Sequence, residues 1–431
     1  MTPAARLSAA IEVFANIESE RRPAADALKS WGLSHRFAGS GDRAAIAGLV
    51  YDALRRRASS AFIMGADSAR AVLIGMLKRE RGLDSEAIAT LCDGSRFAPE
   101  ALSEGERARL DSGDMNGAPA HIAGDYPEWL DAHFAQSFGD DRAEEGAALA
   151  SRAPLDLRVN TLAAERDKAA AMLSDLGPEP TRWSPWGLRI RLSADAKSPA
   201  VHAEPAFLKG MVEVQDEGSQ LAALFSGAKP GEQVIDLCAG AGGKTLALAA
   251  LMQNKGQIFA TDDDKRRLAP IHDRLKRAGA RNVQVRNPKS IGGEIDDLTG
   301  HMDLVLIDAP CTGTGAWRRN TDAKWRMRPG ALEQRAKEQA EILDRAVPLL
   351  KAGGRIAYVT CSVLEEENDA QVRAFLARHP QFSVRPPAEV ASALGERAFM
   401  FGKAARLSAE GLLMTPRTTD TDGFFVSVLR A

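Results

Sequence analysis

The period of apolar and polar positions changes twice along the chain. Over residues 1 to about 140, apolar residues recur at helical spacing. LSAAIEVFANI is one such run, and DRAAIAGLVYDALRRR is another, with Ile46, Leu49, Val50 and Leu54 on one face. Arg55, Arg56 and Arg57 close that second helix, where cations suit the helix dipole. The run reads either as a solvated helix end or as a local basic surface. DSGDMNGAP at 111–119 is a polar loop. From about 150 the pattern alternates. LDLRVNTL reads as a strand, AERDKAAAMLSDLG as a helix closed by Gly177, and WGLRIRL as a second strand. EGSQLAALF at 217–225 is a helix that leads into the last domain. From 231 onward, strands and helices take turns: VIDLC, helix, QIFATD, helix, NVQVR, loop, LVLID, helix, RIAYVTC, helix. That order predicts a mostly parallel sheet with helices on both faces. DGFFVSVLRA adds a final strand that begins at a turn. The expected boundaries are a helical domain over 1–145, a small α/β module over 146–215 and a larger α/β domain over 216–431.

Composition narrows the functional classes. A chain of 431 residues is too long for one ordinary core. The formal net charge of −2 argues against indiscriminate binding of polyanions, though a local basic face stays open. No apolar run approaches the roughly 20 residues that span a bilayer. The N-terminal MTPAARLSAAIEVFANIESERR has no apolar signal-peptide region, so a cytoplasmic location is expected. Cys92, Cys238, Cys311 and Cys361 lie far apart and form no CxxC, which predicts free thiols. No His/Cys spacing suggests zinc, so no metal is expected. Nothing in the sequence requires more than a monomer.

VIDLCAGAGGKT at 234–245 is the first stretch that carries chemistry. A strand followed by a glycine-rich turn serves nucleotide phosphates in one class and S-adenosylmethionine in another. GKT at 243–245 imitates the end of a phosphate loop, and LVLID at 304–308 imitates the strand whose Asp helps hold Mg²⁺. The phosphate loop, however, needs a glycine at the position of Cys238. The dinucleotide fingerprint started at Gly240 would place its third glycine on Thr245, and it fails too. The methyl-donor arrangement needs an Asp near the end of the first strand, a glycine-rich turn and an acid ending the second strand. Asp236, the turn Ala239-Gly240-Ala241-Gly242-Gly243 and Asp262 supply these. The second acid can accept hydrogen bonds from ribose hydroxyls, or it can simply cap the helix starting near Asp264. A P-loop-like NTPase is the alternative class.

Asp308-Ala309-Pro310-Cys311 follows the fourth strand of the last domain, and Thr360-Cys361-Ser362 ends the fifth. In open parallel sheets, ligands bind beyond the carboxyl ends of the strands. Both thiols are therefore expected over the crevice that holds the glycine-rich turn. Cys92 and Cys238 read as small buried hydrophobes. Two thiols beside a donor loop suit methylation at carbon 5 of a pyrimidine. A thiolate adds to carbon 6, the resulting enamine attacks the sulfonium methyl, and loss of the carbon-5 proton expels the thiol. Asp308 is a candidate for the acid near ring N3. Lys244 is a candidate for the positive neighbour that lowers a thiol pKa.

The combination DLCAGAGGKT, DAPCTGTG, KWRMRP and YVTCSVLEEEN resembles the Sun-type (RsmB-like) RNA cytosine-C5 methyltransferases. The resemblance implies a class I S-adenosylmethionine-dependent methyltransferase fold, Rossmann-like with a mostly parallel sheet. It implies Cys361 as nucleophile, Cys311 as the aid to proton removal and release, and Asp308 as a contact to the base. Residues 238–244 with Asp236, Asp262 and Asp308 would bind the donor. The family typically has Asp at a third donor-binding position, where the nearest match here is Asn287, and Ala-Pro where this chain has Gly240-Ala241. Upstream, LDLRVNTL and GMVEVQDEGSQLAA are similar to the family's small RNA-binding module. DRAAIAGLVYDALRR is similar to the NusB-like helical domain of the bacterial 16S rRNA members. The resemblance thus implies an RNA partner, ribosomal RNA ahead of tRNA. Trp317-Arg318-Arg319 and Lys324-Trp325-Arg326-Met327-Arg328 interleave aromatics with cations, which suits a flipped base and its flanking phosphates or else a solvated loop. Lys265, Arg266 and Arg267 form another candidate basic surface, or an ordinary helix start.

Overall fold

A computed structural model describes residues 1–192, 199–286 and 295–431, and its contacts divide the chain into two units. The first comprises Met1–Arg152 together with Trp317–Pro329. It begins with helices α1 (Pro3–Glu20), α2 (Ala24–Ser34), α3 (Ser40–Arg55), α4 (Arg57–Met64) and α5 (Ala69–Arg79). Thr2 caps α1 by accepting the Ala5 N–H at 3.1 Å, which satisfies one of the donors that a helix start leaves open. The apolar periodicity becomes one core in which Phe14, Ile46, Val50, Leu54, Leu73 and Leu77 are buried. Gly75 of α5 lies against the backbone of Ser60 in α4, where a Cβ would collide.

Two expectations about this unit change. Arg55, Arg56 and Arg57 are neither a solvated helix end nor a free basic surface. Arg55 is buried and donates to the carbonyls of Ser151 and Arg318 at 3.0 and 2.6 Å. Arg56 pairs with Glu80 at 2.7 Å, and Arg57 pairs with Glu18 at 2.6 Å. Residues 317–329, expected near the base, are built into the same unit. Trp317 is buried and stacks on Phe134 with ring centroids 5.7 Å apart. Lys324 is buried and donates to the carbonyls of Arg55 and Asp125 at 3.0 and 2.6 Å. Burial pushes its ammonium pKa down to about 7. Neither side chain is exposed to a base or a phosphate.

The second unit comprises Ala153–Leu192, 199–316 and Gly330–Ala431. It opens with an antiparallel sheet in the order β2-β3-β1-β4, made of β1 (Leu155–Val159), β2 (Glu179–Pro180), β3 (Gly187–Ile190) and β4 (Val212–Val214). The helix Arg166–Met172 packs Ala169 against Leu157, Val159, Leu188 and Ile190. Gly177 ends that segment with φ 58°, as its glycine predicted. Buried polar side chains tie this small sheet into the rest of the unit. Arg189, held within the sheet by both oxygens of Asp156 at 2.7 and 2.8 Å, also donates to the Asp420 carbonyl at 2.9 Å, and Asn160 donates to the carbonyls of Gly210 and Ala278. Buried groups of this kind need partners at fixed positions, so the module and the larger sheet form one unit.

The larger sheet contains β5 (Gln233–Asp236), β6 (Gln257–Thr261), β7 (Val283–Arg286), β8 (Met302–Asp308), β9 (Leu350–Thr360), β10 (Ser383–Val384), β11 (Arg406–Leu407), β12 (Leu412–Met414) and β13 (Phe424–Arg430). Its order is β11-β12-β13-β9-β8-β5-β6-β7, with β10 added beside β13. From β7 to β9 every pairing is parallel, and from β9 through β13 outward every pairing is antiparallel. The central parallel strands β5, β6 and β8 each bury an uninterrupted apolar run, as strands covered on both faces must, whereas the edge strand β7 alternates apolar and polar residues. Strand β5 has β6 on one side and β8 on the other, so the chain reverses its direction of advance there. That reversal opens a crevice at the carboxyl ends of β5 and β8. Asp236, Asp308 and Thr360 end three of the strands that face it. Among the described residues, no single helix is long and apolar enough to cross a membrane.

Candidate active site

The glycine-rich turn lies between β5 and the helix Gly243–Leu251. Gly240 and Gly242 have φ of 50° and 83°, which L side chains rarely adopt. Gly242 also packs so closely on Ile271 that a Cβ would fall 2.5 Å from its Cγ1. The turn is pinned at its start. The Ala239 N–H donates to the Thr261 carbonyl at 2.9 Å, and the Gly240 N–H donates to Asp262 Oδ2 at 2.9 Å. Asp262 accepts the Asp264 N–H on its other oxygen at 2.9 Å. Asp264, not Asp262, caps the short helix Lys265–Leu268, whose three basic side chains are exposed. Arg274 donates to the Ala241 carbonyl at 2.8 Å.

Asp236 is fully buried. Its Oδ2 accepts the Thr245 hydroxyl at 2.7 Å, while Oδ1 has no hydrogen-bond partner among the described residues. Burial raises its pKa to about 7. Burial and the nearby carboxylates of Asp236, Asp308 and Asp262 hold the Cys238 thiol well above its usual range, so this cysteine stays protonated. The Lys244 ammonium, expected beside a thiol, is instead 2.7 Å from Asp308 Oδ2 and 5.0 Å from the centre of the Phe424 ring. Lys244 therefore pairs with Asp308 and orients its carboxylate. Asn287 lies outside the described residues.

The two cysteines expected over one crevice do meet. Cys311 Sγ and Cys361 Sγ are 3.3 Å apart. The hydrogen bond between them, followed by burial, raises the Cys311 pKa well above the ordinary thiol range. Either sulfur can donate across this contact, and the hydrogen bond together with burial favours the protonated form of Cys311.

Residues that were not singled out from the sequence hold this pair in place. Glu367 accepts the Thr312 N–H at 2.8 Å, the Gln339 amide at 2.9 Å, and the Thr312 hydroxyl. The Gly315 N–H donates to the Cys361 carbonyl at 2.9 Å, and Thr314 Oγ1 accepts the Val363 N–H at 2.9 Å. Asn368 accepts the Thr360 hydroxyl and donates to the Ser362 carbonyl. Gly315 packs on the backbone of Gly423, where a side chain would collide. The sequence did carry a signal, since SVLEEEN begins one residue after Cys361.

Residues 224–430 match the family model described as 16S rRNA methyltransferase RsmB/F. Residues 224–430 belong to the RsmB/F methyltransferase family. Residues 126–196 match that family's ferredoxin-like domain, a span that includes β1, β2 and β3 of the small antiparallel sheet and the helices just before it. The Citrobacter koseri protein named ribosomal RNA small subunit methyltransferase B is 38% identical over 259 residues, and the match covers 59% of this chain and 58% of that relative. A Klebsiella pneumoniae protein of the same name is 37% identical over 257 residues, with the same coverage of both chains. Among solved structures, PH0851 superposes with a TM-score of 0.72 at 25% identity, covering 100% of this chain and 99% of its own. A methyltransferase homolog from Pyrococcus horikoshii gives a TM-score of 0.58 at 27% identity, over 72% of this chain and 97% of its own. The larger sheet thus has the fold of the S-adenosylmethionine-dependent methyltransferases, and a ferredoxin-like domain and a helical N-terminus precede it.

Proposed function

We propose that this chain is an RNA (cytosine-C5)-methyltransferase that takes its methyl group from S-adenosylmethionine and acts on 16S ribosomal RNA. The observation that carries the chemistry is the 3.3 Å approach of Cys311 and Cys361 at the ends of adjacent parallel strands. The family model and the names of the relatives support ribosomal RNA as the substrate class.

The residues around the glycine-rich turn fit the methyl donor. Asp236 Oδ1 is buried without a partner, and Asp262 is positioned by two backbone amides. The two left-handed glycines let the backbone approach a ligand closely. When bound, the donor supplies an electrophilic methyl group on a sulfonium. The protein supplies the rest. Cys361 Sγ, as thiolate, forms a bond to cytosine carbon 6. Asp308, held by Lys244, supports a proton on ring N3, so the ring electrons gather at carbon 5. Carbon 5 takes the methyl group, its proton leaves to solvent water, and the proton held on ring N3 is returned to solvent as the product forms. The electrons of that C–H bond form the C5–C6 double bond and expel Cys361 as thiolate. Cys311 assists this last phase, and its thiol proton can neutralise the departing sulfur.

Mapping 5-methylcytidine in 16S rRNA from cells with and without the gene tests the proposal. One position should lose its methyl group when the gene is removed and regain it with the wild-type chain, but not with Cys361→Ala. Unchanged ribosomal RNA alongside a lost tRNA methylation would move the assignment to tRNA.

A further inference from the structure

The aromatic and basic segment downstream of Cys311 does not serve a flipped base through Trp317 or Lys324, because both are buried in the helical unit. Its later residues, from Trp325 to Pro329, line a groove of about 760 Å³ that lies wholly within that unit. The volume is in the range of built ligand sites. Trp325 and Trp129 line it together with Arg21, Arg57, Arg326 and Arg328.

Two features distinguish the groove from an ordinary surface hollow. One is a locked indole. Trp325 donates its Nε1–H to the Leu54 carbonyl at 2.7 Å, and the Arg57 guanidinium lies 5.2 Å from its ring centre. A ring fixed in this way loses little freedom when a flat ligand stacks on it. The other is a division among the arginines. Arg57 is neutralised by Glu18 at 2.6 Å and Asp67 at 3.1 Å, and Arg326 by Asp322 at 3.0 Å. Those are the acids of the groove wall. Arg21 and Arg328 are exposed and have no ion-pair partner among the described residues. The groove therefore offers two indoles and two uncompensated guanidiniums. Unpaired guanidiniums suit phosphate oxygens, and indole faces suit unstacked bases. A folded protein partner would give such a groove no comparable match of flat rings beside repeated anions.

We propose that this groove binds a single-stranded segment of the RNA substrate, with bases against Trp129 and Trp325 and phosphates on Arg21 and Arg328. The inference rests on the RNA-methyltransferase reading and adds a contact that is separate from the reacting cytosine. It also relocates the RNA contact expected at Arg55, Arg56 and Arg57, which are committed to internal pairs.

The test uses the full chain and a fluorescein-labelled single-stranded oligoribonucleotide of 16S rRNA sequence, titrated at several salt concentrations. Arg21→Gln/Arg328→Gln should flatten the dependence of log K on log salt by about 1.4, because each phosphate contact to a single strand contributes about 0.7. Trp129→Ala should weaken binding about tenfold and leave the slope unchanged, as expected for loss of one stacked base. S-adenosylmethionine affinity, measured by calorimetry, should be the same in all three proteins. If both variants keep wild-type RNA affinity and slope, the groove does not bind RNA, whereas the methyltransferase reading stands. If the wild-type chain binds the donor but no RNA, the reading beneath the inference fails as well.

Discussion

Glu367→Ala isolates the contribution of the framework to the chemistry. The carboxylate accepts from the Thr312 N–H at 2.8 Å and from the Gln339 amide at 2.9 Å, and it also receives the Thr312 hydroxyl. Replacing it leaves two N–H donors without an acceptor in a buried place. Each such orphan costs about 1–3 kcal/mol. Part of this is offset because burial already penalises the ionised carboxylate, whose pKa is raised. A net loss of about 2–4 kcal/mol in the local stability of the Cys311 loop is expected. Hydrogen–deuterium exchange read by mass spectrometry on the peptide containing 311–316 measures this directly. At roughly 1.4 kcal/mol per factor of ten, the Thr312 amide should exchange at least about 30-fold faster. Glu367→Gln keeps an acceptor for both N–H groups and should cost only about 1 kcal/mol. The raised pKa also sets the sign of the pH effect. A carboxyl with a raised folded pKa contributes stability below its unfolded value of 4.5 and loses it as pH rises through the folded value. The penalty of Glu367→Gln should therefore shrink as pH rises above 4.5. Functionally, a freed Thr312 lets the Cys311 thiol drift from its 3.3 Å contact with Cys361. The alanine variant should then accumulate a covalent protein–RNA complex while binding the donor normally. Wild-type exchange of the 311–316 peptide in Glu367→Ala would refute this reasoning.

The two thiols should separate cleanly. Cys361→Ala should abolish methylation and any covalent complex, whereas Cys311→Ser should accumulate a complex that survives denaturing electrophoresis; a stable complex in the Cys361 variant instead would exchange the roles. Asp262→Ala should weaken S-adenosylmethionine binding by roughly 1–3 kcal/mol in calorimetry, because it removes a charged acceptor and releases the Gly240 amide; saturable binding of Mg²⁺–ATP without donor binding would favour a nucleotide site. Asp236→Asn should stabilise the donor-free protein in alkaline solution. With its pKa raised to about 7 from 3.8, Asp236 contributes stability below 3.8 that is lost as pH rises through 7, about 4 kcal/mol in all at 1.36 kcal/mol per unit. Denaturant melts at pH 4 and pH 8 should show the asparagine variant gaining relative to wild type at pH 8, and equal differences at both values would contradict the burial argument.

The parts of this molecule that were legible in its sequence are those governed by local periodicity or by a topological rule. Period-2 and period-3.6 runs gave the helix Glu217–Phe225 to the residue, and they placed the cores of β5, β6, β8 and β9. The rule that parallel strands present their carboxyl ends to one crevice was enough to bring Cys311 and Cys361 together, although they are 50 residues apart. The antiparallel edge was less legible, because β10, β11 and β12 have only two or three residues each and carry no period. The partners of charged side chains were not legible at all. Glu367 lies 55 residues from the Thr312 that it holds, and Lys324 lies 269 residues from the Arg55 carbonyl.

The segment 317–329 makes the same point most sharply. Aromatics alternating with cations have one appearance in a sequence, whether they are displayed to a ligand or buried. An indole and a long cationic stem both carry enough apolar surface to sit in a core. What separates the two fates is the supply of acceptors. Lys324 is buried because two backbone carbonyls meet its ammonium, and Arg326 is neutralised by an Asp one turn away. Among the described residues Arg328 meets neither, and that difference is what sets it apart from an otherwise uniform basic run.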